Sequence, residues 1–507
     1  MSSPPKLSNM EEYKFTSSTG AMEELGGTGG EQVILRKTAK QDPENGYGTQ
    51  NSSLGNDADA NAGGGVHPSP STVPLTALGD RKIAYATTDF ETIVHLIKGN
   101  VGPGILALPQ ALLYAGLWVG FGGIFFFGAI CLHAMSMIVR SANELCRIHG
   151  RSSLNFEEVA ELAFQRGPQR LKGAGPTVRR MILVYLAITQ FGFCTVYFVF
   201  VPQNLKQALE CMTGGTGVSQ LGFQAAMIVP ALLFCYIPEL KMLAPVSMLA
   251  SALKVVGLIL TFYYLIRDLG TREPVPAFGG WSTLPLFFGS TIYAIGGIGL
   301  VLPLENKMKS PQNFVGYTGV LHTGLYICIV MYAAVGFYGY MSYGDQVQGS
   351  ITLNLPNGER LAQIIKIIIS FSVLLSYPLQ FYIPLTYLVP AIRAHFHTGT
   401  TKFIAEYVMR SCIVLTTFCL AAIIPNIGLF VSLIGAVAQT TLALMIPPFI
   451  EICTFWSHEK ERTKLVIKGA FIFLVGLLGF VTGTVMSIAS IVQFFLDGSE
   501  PPSYSCD

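Results

Sequence analysis

From residue 90 onward the chain is a succession of long apolar runs separated by short polar stretches, and this pattern restricts its fold more than any other feature. A hydrocarbon core about 30 Å thick requires about 20 apolar residues of a helix, whereas a barrel strand would alternate over about 10 residues. No such alternation is present, so the expected fold is all-α and spans a membrane. Eleven segments qualify: 90–113, 117–139, 181–205, 223–240, 244–266, 284–304, 315–340, 364–389, 403–424, 427–450 and 465–496. Charged residues make up only 12% of the chain against 51% hydrophobic, and a soluble domain carries about twice that share of charge.

Residues 1–88 read differently. They are rich in Gly, Ser, Asn and Asp and poor in aromatics, so they cannot bury enough apolar surface to offset chain entropy and are expected to be a disordered tail. No basic start followed by an apolar run marks a cleaved signal peptide. The membrane-spanning domain is expected over 89–497, with a short tail at 498–507. Orientation follows from the basic residues, because cytosolic loops hold an excess of Lys and Arg. Eight lie between Arg140 and Arg180, and Lys460, Arg462, Lys464 and Lys468 precede the last span, while Arg267, Arg272 and Arg360 stand on the other side. The N-terminus is therefore expected in the cytosol and Asp507 outside or in a lumen, with the Asn51-Ser52-Ser53 sequon unmodified. A net charge of +2 implies no nucleic-acid partner. Most of the ten cysteines sit inside apolar runs, among them Cys131, Cys194, Cys235, Cys328, Cys412 and Cys419, and read as small buried hydrophobes without metal-ligand spacing.

Two segments contain interruptions that a plain anchor does not need. Lys98-Gly99-Asn100-Val101-Gly102-Pro103-Gly104 places three glycines and a proline at mid-membrane depth, and Gly296-Gly297-Ile298-Gly299 does the same between Tyr293 and Pro303. Helix propensity falls by about 1 kcal/mol per Gly and about 3 per Pro, so both helices should unwind there. The alternative is close packing of glycines between helices, which usually takes the form of small residues four apart. Unwound backbone is tolerated in a bilayer only against protein or a water-filled cavity. Its free N–H groups suit a carboxylate and its free carbonyls an ammonium, which is the chemistry of a zwitterionic amino acid site. Breaks in the first and sixth spans imply two five-helix units in inverted repeat. The site is expected at Asn100, Val101, Gly102, Ala294, Ile295 and Gly296, with Tyr293 as a lining side chain. Enlarging Gly102 to Val is expected to abolish binding.

Ionisable groups inside spans are costly and usually functional. His95 and Lys98 precede the first break, Lys254 lies midway along the fifth span, and Glu305 follows the second break. His95 either carries the coupling proton, since imidazole titrates near physiological pH, or ties two helices together as a neutral ring. Lys254 either holds the cation position itself and titrates during the cycle, as a second proton-coupling group, or pairs with a carbonyl, with Ser372 and Ser376 as further expected neighbours.

The stretch Ile93-Val94-His95-Leu96-Ile97-Lys98-Gly99-Asn100-Val101-Gly102 resembles the first-helix motif of the proton-coupled amino acid transporters, a branch of the amino acid and auxin permease group. Matching stretches follow at 297–309, at Ser350-Ile351-Thr352-Leu353-Asn354-Leu355-Pro356-Asn357, and at 432–435 with 442–448. The resemblance covers about 90–495 and implies eleven helices in leucine-transporter-like inverted repeats. It further implies symport of protons with small neutral amino acids such as alanine, glycine or proline in the plasma membrane or endolysosomal membranes, with the proton as coupling ion in place of a cofactor. Relatives often carry a cysteine after the Asn-Leu-Pro-Asn stretch, paired across the outer loops, where this chain has Gly358, although Cys211 remains in an outer loop. They also commonly carry an acidic residue where this chain has Gly296. An uncoupled carrier, or an amino acid sensor with growth-signalling partners at the cytosolic tail, is the competing reading. An enzyme is not expected, because no metal cluster, nucleophile motif or phosphate loop is present.

Overall fold

The computed structural model describes residues 86–215, 217–237, 240–269, 274–424, 426–497 and Cys506. The N-terminal tail with its sequon, Arg272, Pro425 and most of 498–507 lie outside these residues.

Thr88 starts the first helix with a reciprocal cap: its hydroxyl accepts from the Glu91 N–H, and the Glu91 carboxylate accepts from the Thr88 N–H at 2.8 Å. That helix, α1 (Asp89–Asn100), is followed in line by α2 (Gly104–Ala115). Gly116, at φ 86°, then reverses the chain with its Cα against Phe278, a conformation open to glycine. There follow α3 (Leu117–His149), α4 (Phe156–Arg166), α5 (Gly175–Thr213), α6 (Gln220–Cys235) and α7 (Leu240–Arg267). The second half of the chain forms α8 (Leu284–Ile295), α9 (Ile298–Glu305), α10 (Val320–Tyr343), α11 (Arg360–Arg393), α12 (Gly399–Ile423), α13 (Ile427–Ile434), α14 (Ile446–Thr454) and α15 (Glu459–Leu496). Between α13 and α14 the helix widens into two π-helical turns, Gly435–Gln439 and Thr441–Met445.

Among the described residues nine helical stretches are long and apolar enough to cross a membrane, counting α8 with α9 and α13 with α14 as one each. α6, at 16 residues, and the 12-residue halves α1 and α2 are shorter. The surface is apolar where a soluble protein's is polar: Met248, Ile259, Leu478 and Val485 are each more than half exposed, the arrangement expected of helices that face lipid. Cys412 and Cys419 lie on this outward surface, which corrects the expectation that they are buried; Cys131, Cys194, Cys235 and Cys328 are buried. α8, α9, α13 and α14 are the most enclosed elements, and α7, α12 and α15 are peripheral.

The two ends of the bundle are fastened differently. At the end bearing the basic loops, residue 87 pairs with the chain after α9, its N–H donating to Lys307 O and its carbonyl accepting from the Lys309 N–H, each at 2.9 Å. Nearby, the buried carboxylate of Glu451 on α14 meets Lys468 of α15 at 2.7 Å and Arg140 of α3 at 3.8 Å. At the opposite end Cys211, in the last turn of α5, is disulfide-bonded to Cys506, a pairing that sequence alone did not identify. The Ser350–Asn357 stretch is held down there too. Gln207 donates to Leu353 O at 3.1 Å, and the buried Lys366 ammonium donates to Leu355 O and to Asn357 Oδ1 at 2.6 Å.

Glu359 closes this stretch by accepting from Arg267 at 2.9 Å and from the Tyr264 hydroxyl at 2.7 Å. The Arg267 guanidinium first, and then the tyrosine, hold its carboxyl below the usual carboxylate range. A group whose folded-state pKa is depressed contributes in full above its ordinary pKa, and the contribution is lost as pH falls through the lowered value. The tie is therefore expected to survive an acidic compartment. Hydrogen exchange over 344–359, corrected for chemical rate, should be equal at about pH 7.5 and about pH 5, and faster at both in Glu359→Gln. A native protein that loosened at the acidic pH would contradict the assignment.

Candidate functional site

α1 stops where Gly99 weakens the helix and Pro103 can offer no N–H. The Asn100 carboxamide nitrogen turns back to Leu96 O at 2.9 Å. Two carbonyls released at the end of α1 find donors from other helices: Tyr332 of α10 donates to Asn100 O, and the Lys254 ammonium of α7 donates to Val101 O, both at 2.9 Å. α8 ends alike at Ile295, and the Gly296 carbonyl accepts from Gln439 Nε2 at 3.0 Å. Two side-chain amides flank this second turn. A Cβ on Gly296 would fall on the Gln439 carboxamide, and one on Gly297 would fall on that of Asn100. A side chain at either position would displace one of these amides. At Gly102 a Cβ would meet nothing within 4 Å, so the steric constraint expected there belongs to Gly296 and Gly297.

The two interruptions border one cavity. Of the expected residues, Asn100, Gly102, Tyr293, Ala294 and Gly296 line it, while Val101 and Ile295 are buried beside it. Tyr293 stands edge-on to Phe193 at 5.0 Å between ring centres. The remaining polar wall comes from Thr189 and Gln190 of α5, Gln380 of α11 and Gln439. Among the described residues no Asp, Glu, His, Lys or Arg lines the cavity. Asn100 Oδ1, Gln190 Oε1 and Gln439 Oε1 are buried acceptors with no donor among the described residues, so the wall presents hydrogen-bond acceptors but no formal charge.

The ionisable candidates are placed apart from this cavity. His95 lies on an exposed face of α1, more than a turn before the break. Lys254 borders a smaller void with Gly102, Pro103, Ile105, Leu106, Leu258, Ile369 and Val373. Of the expected serine neighbours, Ser372 donates to Ala250 O at 2.6 Å and Ser376 to Ser372 O at 2.8 Å, and the α11 residues that line the void beside Lys254 are Ile369 and Val373.

Sequence reasoning missed the glutamines and Thr189. A signal was present for Gln439, which stands with Thr440 and Thr441 as a polar triplet in an otherwise apolar run.

Residues 86–489 match the family model described as transmembrane amino acid transporter protein. Over 415 residues the chain is 40% identical to the proton-coupled amino acid transporter-like protein pathetic of Drosophila melanogaster, covering 81% of this chain and 87% of the relative. It is 26% identical over 420 residues to the probable amino acid transporter skat-1 of Caenorhabditis elegans, covering 80% and 91%. Among solved structures, the inward-facing conformation of Mhp1 superimposes with a TM-score of 0.51 at 11% identity, over 82% of this chain and 92% of that one, a likeness of fold alone. This transporter membership carries the expectation that the chain is no enzyme, and on the extent of the family match the chain belongs to the transmembrane amino acid transporter family.

Proposed function

We propose that the protein is a secondary active carrier that moves small neutral amino acids together with protons by alternating access. The observation that carries this reading is the meeting of two interrupted helices on one cavity whose walls bear no charged side chain. A solute with no net charge but two charged ends suits it. The start of α2 offers N–H groups to a carboxylate, and the end of α8 with the amide oxygens offers acceptors to an ammonium. Asn100, Val101, Gly102, Tyr293, Ala294, Ile295 and Gly296 are the proposed binding residues. The spans number eleven in this reading: the nine long stretches, the α1–α2 pair and α6. Spans one to five and six to ten form the inverted repeats.

The N-terminus is proposed to be cytosolic, with residues 1–88 as the tail on that side, 89–497 as the transport domain and 498–507 on the far side. Two independent observations support this orientation. The basic loops lie at one end, and the Cys211–Cys506 disulfide lies at the other, where an oxidising compartment would keep it. The plasma membrane and the endolysosomal membrane both meet that condition. Gly99, Leu186 and Leu300 are among the lining residues, and in the proposed orientation they lie on the cytosolic side of the breaks.

The deciding experiment is uptake of radiolabelled alanine, glycine and proline into proteoliposomes with an imposed pH gradient. Acid-stimulated accumulation is expected; substrate binding without accumulation would favour a sensor, and pH-independent exchange an uncoupled carrier. His95 on α1 and Lys254, bonded to the end of α1, are the proposed proton-coupling residues. His95→Ala is expected to remove the acid stimulation while retaining binding of alanine. Unchanged stimulation would assign the exposed imidazole no part in coupling.

A further inference from the structure

Lys254 and Gln439 occupy corresponding places in the two halves of the bundle. Lys254 lies on α7, the fifth span, and donates across 153 residues to Val101 O at the end of α1. Gln439 lies on the tenth span and donates across 143 residues to Gly296 O at the end of α8. In each half a donor on the last helix of the repeat holds the terminal carbonyl of the broken first helix. One donor is a cation that can lose a proton. The other is a neutral amide that cannot.

The surroundings of Gln439 are built for this contact. It sits at the close of the first π-helical turn, Gly435–Gln439, and such turns are rare and concentrate at functional positions. Gly435 lies so close to the Gly289 carbonyl that no Cβ fits between them, which seats the tenth span directly on α8. Gly296 has no side chain to compete for the space that the Gln439 amide fills. The other amide atom, Oε1, is buried, lacks a donor and belongs to a residue that lines the cavity.

We propose that Gln439 is a positioning residue for transport: its amide N–H clamps the Gly296 carbonyl and so sets the shape of the second break, independently of pH. This inference rests on the inverted-repeat carrier reading given above. It also accounts for Gly296. A residue with a side chain at 296 could not coexist with Gln439 in its present place, so the polar function at this turn comes from the tenth span. Pinning in the second half is then constant, and any titrating pin belongs to the first half. The titratable side chains that line the cavity around Gln439 are Tyr293 of α8 and Tyr197 of α5. The buried residues of α13 and α15 are aliphatic residues, glycines, Phe430, Ser432 and Ser487, none of them charged.

The test uses Gln439→Glu and Gln439→Met in the full-length protein. A protonated glutamic acid keeps an O–H donor for Gly296 O, whereas an ionised one presents a second acceptor to it. Two readouts are taken between about pH 5 and about pH 9, each as a ratio to the native protein at the same pH. They are equilibrium binding of radiolabelled alanine, and hydrogen exchange over 293–300 without ligand. Gln439→Glu should be near native at the acid end and lose about tenfold or more in affinity toward the alkaline end, with exchange rising in step. Gln439→Met should be weak and fast-exchanging throughout. A flat ratio for Gln439→Glu in both readouts would overturn the proposal. So would a ratio that rises with pH, because an ionised carboxylate binding more tightly would mark residue 439 as a direct acceptor of the substrate ammonium. If the native protein binds no alanine, glycine or proline, the substrate reading fails, and exchange over 293–300 still decides the clamp.

Discussion

Replacing Gly297 with Val is expected to lower amino acid uptake by about 10–100-fold at unchanged abundance in the membrane, the range that overpacking a well-filled site produces. The new Cβ would lie on the Asn100 carboxamide. Asn100 cannot step aside freely, because its nitrogen is bonded to Leu96 O and its own carbonyl accepts from Tyr332. Moving it disturbs the end of α1 and one wall of the cavity together, so both breaks are damaged by one substitution. Gly102→Ala is the control. It enters open space on the same cavity and is expected to retain most of the native uptake. Equal losses in the two variants would show that sensitivity comes from the unwound backbone in general and not from the Asn100–Gly297 contact.

Lys254→Met is expected to slow turnover by about 10–100-fold while leaving alanine binding within a few-fold of native, since a charge-assisted hydrogen bond to a buried carbonyl is worth about 1.5–3 kcal/mol. The methionine fills much of the same volume but cannot donate to Val101 O, so the carbonyl that the ammonium holds is released. The void beside Lys254 is lined by aliphatic side chains of α2, α7 and α11, and little else there could take over the contact. We propose that the Lys254 ammonium, which ties α7 to the end of α1, holds a cation position itself. Transport by the native protein is therefore expected to be independent of sodium. Single-turnover release from preloaded proteoliposomes measures the step directly. Native rates in Lys254→Met, or a sodium requirement in the unmodified protein, would remove this role.

Most of the helices were legible because the bilayer imposes a length and a composition that a linear scan detects. The departures have physical causes. α3 runs on to His149 and α15 begins at Glu459, beyond the apolar runs, because good helix formers such as Glu, Lys and Arg continue a helix into the polar zone. α4 is too short and polar for an apolar-run criterion, though Asn155 and Glu158 form a capping box that the sequence displays. Each break was visible as a cluster of helix-weakening residues, but the donors that complete it were not. Gln439 and Gly296 are brought together only by the packing of the tenth span on α8, and no periodicity in either segment specifies that meeting. The same holds for the partner of Cys211, which no count of cysteines could identify.

The short backbone pairing of residue 87 with Lys307 and Lys309 has a mechanical consequence. It stitches the start of α1 to the end of α9, so the first half of one broken helix and the second half of the other are joined as one lever in place of two independent arms. The long N-terminal segment is attached at the very end of that lever. A tug or a load applied to the segment reaches both halves of the gate at once, with the greatest possible moment about the two breaks. A binding partner of the tail would thus act on the carrier as a hand acts on a handle, biasing the gate without approaching the substrate.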